Sequence, residues 1–158
     1  MSKTVTVSDQ TGTEALAARL AAIAKPGDVI LMHGTLGMGK SAFCRAFIRA
    51  VADNPHEEVP SPTFTLVQIY ELDRLPVWHF DLYRLSDPEE IHELDIEDAF
   101  ADAVSLIEWP DRLDYLTPEN RLDIHIEPGS SPDGRVFILE PSGDDWVTRI
   151  DQLAGDGV

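Results

Sequence analysis

Positive charge is scarce in this sequence. Twelve Lys and Arg stand against 29 Asp and Glu, a formal net charge of −17 over 158 residues. Such a surface repels nucleic-acid backbones, so autonomous RNA or DNA binding is not expected. It repels nucleotides at long range too, so any nucleotide site must rest on local groups. The acidity suits solubility, or docking onto a basic protein partner. There is one cysteine, Cys44, which rules out an internal disulfide and reads as a small buried apolar residue. No apolar run is long enough to span a bilayer, and the start MSKTVTVSDQ lacks the apolar core of a signal peptide. A cytoplasmic protein is the expectation. The histidines (His33, His56, His79, His92, His125) have no zinc-like spacing with one another or with Cys44. His79 alone is a site candidate, with a structural imidazole as the alternative. No internal repeat, low-complexity segment or interdomain linker is present. With 43% hydrophobic and 26% charged residues, the chain reads as one globular domain over residues 1–154, with 155–158 as a frayed tail.

What is present centres on Gly27 to Val51. Val29-Ile30-Leu31-Met32 is a short apolar run bounded by turn formers, a buried strand. Gly34-Thr35-Leu36-Gly37-Met38-Gly39-Lys40-Ser41 then completes G-x-x-x-x-G-K-[ST]. Phe43, Phe47, Ile48 and Val51 follow at helical spacing, so a helix starts at the loop. Glycines let backbone N–H groups approach phosphate oxygens, and the helix adds its unpaired N–H groups and positive dipole end. Lys40 suits the β/γ-phosphates and Ser41 offers Mg²⁺ a hydroxyl. This is a phosphate-binding loop.

The remaining segments place it in an α/β fold. Thr4 to Val7 reads as a first strand. The helix after it carries Leu16, Leu20 and Ile23, with Thr11 or Thr13 as its cap. Asn54 to Pro62 is a polar, proline-rich loop ending in Ser61-Pro62-Thr63-Phe64, whose hydroxyls either sense phosphate or stabilise a proline turn. Phe64 to Tyr70 and Val77 to Tyr83 pattern as a hairpin, with His79, Asp81 and Tyr83 sharing a face. Asp87-Pro88-Glu89-Glu90 starts a helix. Ala103 to Ile107 is an apolar strand ending in Glu108-Trp109-Pro110, the Walker B candidate. Asp81 and Glu108 compete for the metal role. Two more strands, around Asn120 to Glu127 and Val136 to Leu139, flank a Pro/Gly/Ser turn, and a terminal helix carries Trp146, Ile150 and Leu153. The expected architecture is a three-layer P-loop NTPase-like domain with a mixed, mainly parallel sheet and a β-hairpin.

The succession G-x-L-G-x-G-K-S, Ser-Pro-Thr-Phe, His-Phe-Asp-Leu-Tyr-Arg-Leu and Leu-Ile-Glu-Trp-Pro resembles the TsaE (YjeE) family, from about Ser8 to Arg112. That family is the ATPase component of the bacterial machinery that makes threonylcarbamoyladenosine beside the tRNA anticodon. The resemblance implies that Gly37, Met38, Gly39, Lys40, Ser41 and Ala42 hold ATP phosphates, with Ser41 and Glu108 on Mg²⁺. It implies that Asp81 positions the attacking water and that Ser61 and Thr63 lie in a switch-like segment. Trp109 would sit beside the nucleotide and Thr13 near the adenine. The implied partners are TsaD and TsaB, with tRNA met only through that complex and no membrane involved. Two positions depart from the family pattern: Ser41 replaces the usual threonine, and Asp95 stands where glycine is usual, which questions the local turn.

Three rivals remain. A small-molecule kinase would need an arginine-rich lid, for which the chain shows no basic cluster. A GTPase would need a guanine-reading Asn-Lys-x-Asp segment, which is absent. A nucleotide-dependent binding switch uses the same residues as a slow ATPase.

Overall fold

The computed structural model describes residues 2–35, 37–60, 62 and 65–155. Strand Lys3–Val7 (β1) leads into helix Gln10–Ile23 (α1), then strand Val29–His33 (β2) and helix Lys40–Ala52 (α2). Strands Val67–Tyr70 (β3) and Val77–Asp81 (β4) follow. A 3-10 segment Pro88–Leu94, helix Ile96–Asp102 (α3), strand Val104–Glu108 (β5) and a second 3-10 segment Pro110–Leu116 come next. The chain closes with strands Arg121–Pro128 (β6) and Arg135–Ser142 (β7) and helix Asp144–Gly155 (α4). Among the described residues, no helix is long and apolar enough to cross a membrane.

The strands form one seven-stranded sheet in the order β1-β7-β6-β2-β5-β4-β3. The four central strands are parallel and each flank is closed by antiparallel pairs, so the sheet is mixed, with five of seven strands pointing one way. Side-chain alternation splits the core into two layers. Ile30 and Met32 of β2 pack with Leu106, Leu122 and Ile124 under the apolar faces of α1, α2 and α4. Val29 and Leu31 pack on the other face with Phe80, Ile107, Ile91, Ile96 and Leu113. A strand apolar on both faces must be central. β2 is therefore the middle of the sandwich.

Local chemistry differs from the sequence expectation in two places. The cap of α1 is Asp9, whose carboxylate accepts the Gly12 N–H; neither Thr11 nor Thr13 caps it. Asp9 is in extended backbone, the conformation an N-cap needs, while Thr13 is buried inside the first turn. Strand β3 begins at Val67, because Leu66 (φ 68°) breaks the extended run that its sequence suggests. The helix expected after Asp87 forms as a 3-10 segment, with the Asp87 carboxylate accepting the Glu89 N–H as its cap. The hairpin β3–β4, the turn between β6 and β7, and a terminal helix burying Trp146, Ile150 and Leu153 are as expected. Asp95 takes φ 57°, ψ 35°, the left-handed conformation glycine reaches most easily and aspartate tolerates, so the turn into α3 forms without glycine. Of the tail expected to fray, 155–158, Gly155 instead closes α4, and 156–158 lie outside the described residues.

One buried ion pair ties α4 to the turn that feeds β2. Arg149 donates from both terminal nitrogens to Asp28 at 2.7 Å, and from one of them to the Ile23 carbonyl at 3.0 Å. Its guanidinium lies 3.8 Å from the Trp146 ring centroid. Removing the arginine strands a buried carboxylate, so Arg149→Ala is expected to lower unfolding free energy by about 3 kcal/mol. Chemical denaturation checks this, and adding Asp28→Asn should recover part of the loss.

Candidate functional site

Residues from three parallel strands converge at the carboxyl end of the sheet. β2 ends at His33 and turns into the glycine loop, while β4 and β5 end at Asp81 and Glu108, which are register neighbours. The β2–β5 pairing places Met32 beside Glu108. In open α/β sheets this edge is where ligands bind.

The loop is shaped by its glycines. Gly37 (φ 84°) and Gly39 (φ 103°) both occupy left-handed backbone that other side chains rarely adopt. Gly39 is the N-cap of α2 and supplies no side-chain cap bond, unlike Asp9 at α1. The first N–H groups of α2 are thus left for an anion. Lys40, the first residue of the helix, is 5% exposed; its Nζ donates to the Gly34 carbonyl at 2.5 Å and lies 3.6 Å from the Trp109 ring centroid. Burial pushes the Lys40 ammonium below its ordinary 10.5, against the opposing pull of Glu108, Asp81 and Asp111. A phosphate would compete with Gly34 and Trp109 for the same ammonium.

Ser41 Oγ lies 3.1 and 3.2 Å from the two oxygens of Glu108. His79 Nε2 meets Glu108 Oε2 at 2.6 Å, with both side chains buried. Asp81 is also buried, and its carboxylate accepts the Tyr83 N–H at 3.1 Å. Trp109 itself has φ 59°, turning the chain sharply after β5, and its ring packs against Tyr83 with centroids 4.8 Å apart. Cys44 stands within 4.8 Å of the His79 and Glu108 donor atoms. Burial pushes its thiol well above the ordinary range, and Glu108 and Asp81 push it further. It therefore stays protonated and packs as an apolar group, as its sequence context suggests.

Thr13, Met38, Gly39 and Ala42 line a cavity of about 120 Å³ together with Gln10, Asp133 and Arg135. Arg135 Nε donates to the Met38 carbonyl at 2.9 Å, and its Nη1 to the Pro132 and Gly134 carbonyls. Gln10, Asp133 and Arg135 are additions that sequence reasoning missed, since no local pattern links the β6–β7 turn to a loop about a hundred residues earlier. The expected switch hydroxyls, Ser61 and Thr63, lie outside the described residues. A larger open groove of about 1060 Å³ sits at the opposite end of α2, between Ala18, Ala50, Asp53 and Arg74, and contains none of these groups.

Residues 7–136 match the family model described as threonylcarbamoyl adenosine biosynthesis protein TsaE. The chain belongs to the TsaE family. It is 38% identical over 122 residues to the tRNA threonylcarbamoyladenosine biosynthesis protein TsaE of Rickettsia conorii, covering 77% of this chain and 69% of that protein. Against the TsaE protein of Bacillus subtilis it is 38% identical over 143 residues, covering 90% and 87%. The crystal structure of Bacillus subtilis YdiB superposes with a TM-score of 0.80 at 26% identity, over 100% of this chain and 97% of that one. TsaE membership assigns the chain to threonylcarbamoyladenosine biosynthesis in tRNA and implies nucleotide binding.

The Lys40–Trp109 contact makes Trp109 a reporter of the loop. A nucleotide that draws Nζ off the ring should change tryptophan emission, and Trp109→Phe should abolish the change. The buried Trp146 and half-buried Trp78 serve as the constant background. A change that survives Trp109→Phe would arise at Trp78 or Trp146 and would overturn Trp109 as the reporter.

Proposed function

We propose that this protein is a Mg²⁺-dependent ATPase whose turnover is coupled to TsaD and TsaB during threonylcarbamoyladenosine formation in the cytoplasm. The observation that carries the reading is the Ser41 hydroxyl set 3.1 Å from the Glu108 carboxylate at the mouth of an uncapped, glycine-led helix. Hydroxyl and carboxylate oxygens are the donors a hard divalent cation takes, so the residues present fit Mg²⁺. Ser41 and Glu108 would hold the ion, which would supply positive charge against the phosphates.

In this reading Gly37, Met38, Gly39 and Ala42 present backbone N–H groups to the phosphates, and Lys40 exchanges the Gly34 carbonyl for a phosphate oxygen. Asp81, beside Glu108, orients the water that attacks the γ-phosphorus in line, and the bond to the ADP oxygen breaks. Ser61 and Thr63 respond to the γ-phosphate. The base lies against Thr13, in the cavity closed by Arg135, and Trp109 covers the phosphate side. Residues 1–154 act as one domain, and contact with tRNA is made only through the complex.

The test is ATP hydrolysis with Mg²⁺ by this protein alone and with TsaB and TsaD. Slow turnover alone and strong stimulation by the pair are expected. Lys40→Ala and Glu108→Ala should each lower stimulated turnover by about a hundredfold, the usual cost of losing a group that stabilises transition-state charge. Unchanged turnover in both variants would sink the assignment. Full cycling with a non-hydrolysable ATP analogue would instead make the protein a binding switch.

A further inference from the structure

His79 is a polar residue in an apolar layer. On its face of β4 and β5 the neighbours are Val77, Val104 and Leu106, each without solvent exposure, and Cys44 of α2 packs above them. The imidazole is 1% exposed, and its Nδ1 is buried with no hydrogen-bond partner among the described residues. A histidine kept for packing normally has both nitrogens satisfied, or is replaced by an apolar side chain of similar size. Here one nitrogen is left unmet while the other makes a 2.6 Å contact to Glu108 Oε2. A carboxylate oxygen accepts, so Nε2 carries the proton and donates.

The need for that bond lies in the symmetry of the other one. Ser41 Oγ is 3.1 Å from Oε1 and 3.2 Å from Oε2, so the hydroxyl does not choose between the two oxygens. His79 touches Oε2 alone. We infer that His79 is a positioning residue for Glu108: its Nε2–H holds Oε2 toward the core, fixes the rotation of the carboxylate, and reserves Oε1 beside Ser41 for the divalent cation. Hydrogen-bond partners of ligating carboxylates act in this way, by orienting a ligand they do not replace. The inference rests on the reading of Glu108 as the cation ligand, and the test separates the two.

A fluorescent ADP analogue is titrated against the wild type, His79→Leu, His79→Gln and Glu108→Gln, first in EDTA and then with increasing Mg²⁺. The leucine removes the donor within an apolar volume, and the glutamine amide reaches about as far as Nε2. Affinity in EDTA should be the same for the wild type and both His79 variants. The Mg²⁺ concentration at half-maximal effect should rise about ten- to a hundredfold in His79→Leu, the usual cost of losing a ligand's hydrogen-bond partner, and return to within about threefold of wild type in His79→Gln. If His79→Leu does not fold, His79→Asn takes its place: the amide is retained but too short to reach Oε2, and the same Mg²⁺ shift is expected. An unchanged Mg²⁺ dependence, an equal shift in the glutamine and leucine (or asparagine) variants, or a matching loss of affinity in EDTA would each overturn the positioning role. Glu108→Gln separates the failures. If it leaves the Mg²⁺ dependence untouched, Glu108 is not the ligand; if it shifts while His79→Leu does not, the His79 role alone falls.

Discussion

Parallel pairing of β2 with β5 brings the end of one strand, where the glycine loop begins, beside the end of another that carries a carboxylate. The register that sets Met32 against Glu108 also sets Ser41, the second residue of the following helix, over that carboxylate. Burial enforces the pairing. The first four residues of β2 are at most 2% exposed, and a shift of one residue would exchange the side chains that meet α2 with those that meet α3. The chemistry at the loop therefore depends on packing below it.

The antiparallel flanks have a different role. The β6–β7 hairpin extends the sheet beyond β2 and returns the chain with Arg135 against the Met38 carbonyl, so the turn braces the loop from the side. At the other end of the molecule Arg149 holds α4 to Asp28, just before β2. β2 is thus anchored near both ends by an arginine from the last third of the chain. Lys25 and Asp145 also pair there, but both are largely exposed and contribute little.

Much of this was legible from the sequence because the signals are local. The loop demands glycine where φ is positive, and the apolar run before it and the helical spacing after it are short-range patterns. The same holds for Asp81 and Glu108, each a carboxylate closing an apolar strand, and for Cys44, placed inward by the helical period. What escaped has a physical cause. Helix N-caps offer several near-equivalent residues within four positions, and only the backbone angles selected Asp9 over Thr11 and Thr13. Strand order depends on which edges meet, and no residue pattern encodes that directly. Arg135 acts through a contact 97 residues away in sequence, so an isolated arginine at a strand start carries no mark of its partner; His79 stood out as a site candidate, but its bond to Glu108, 29 residues away, is not written in the strand pattern.

The chain is strongly acidic, and its loop sets Lys40 among Glu108, Asp81 and Asp111, the groups that pull its ammonium toward the charged form. A nucleoside triphosphate, the ligand proposed above, would bring several more negative charges to that corner. Two like charges 4 Å apart near a protein surface repel by about 4 kcal/mol, more than one lysine offsets across two buried carboxylates and a phosphate chain. The N–H groups of α2 supply about half a positive charge more. In the proposed reading, nucleotide and divalent cation would therefore bind with strong mutual dependence, each lowering the cost of the other. A carboxylate whose orientation is already set before either arrives is what such coupling requires.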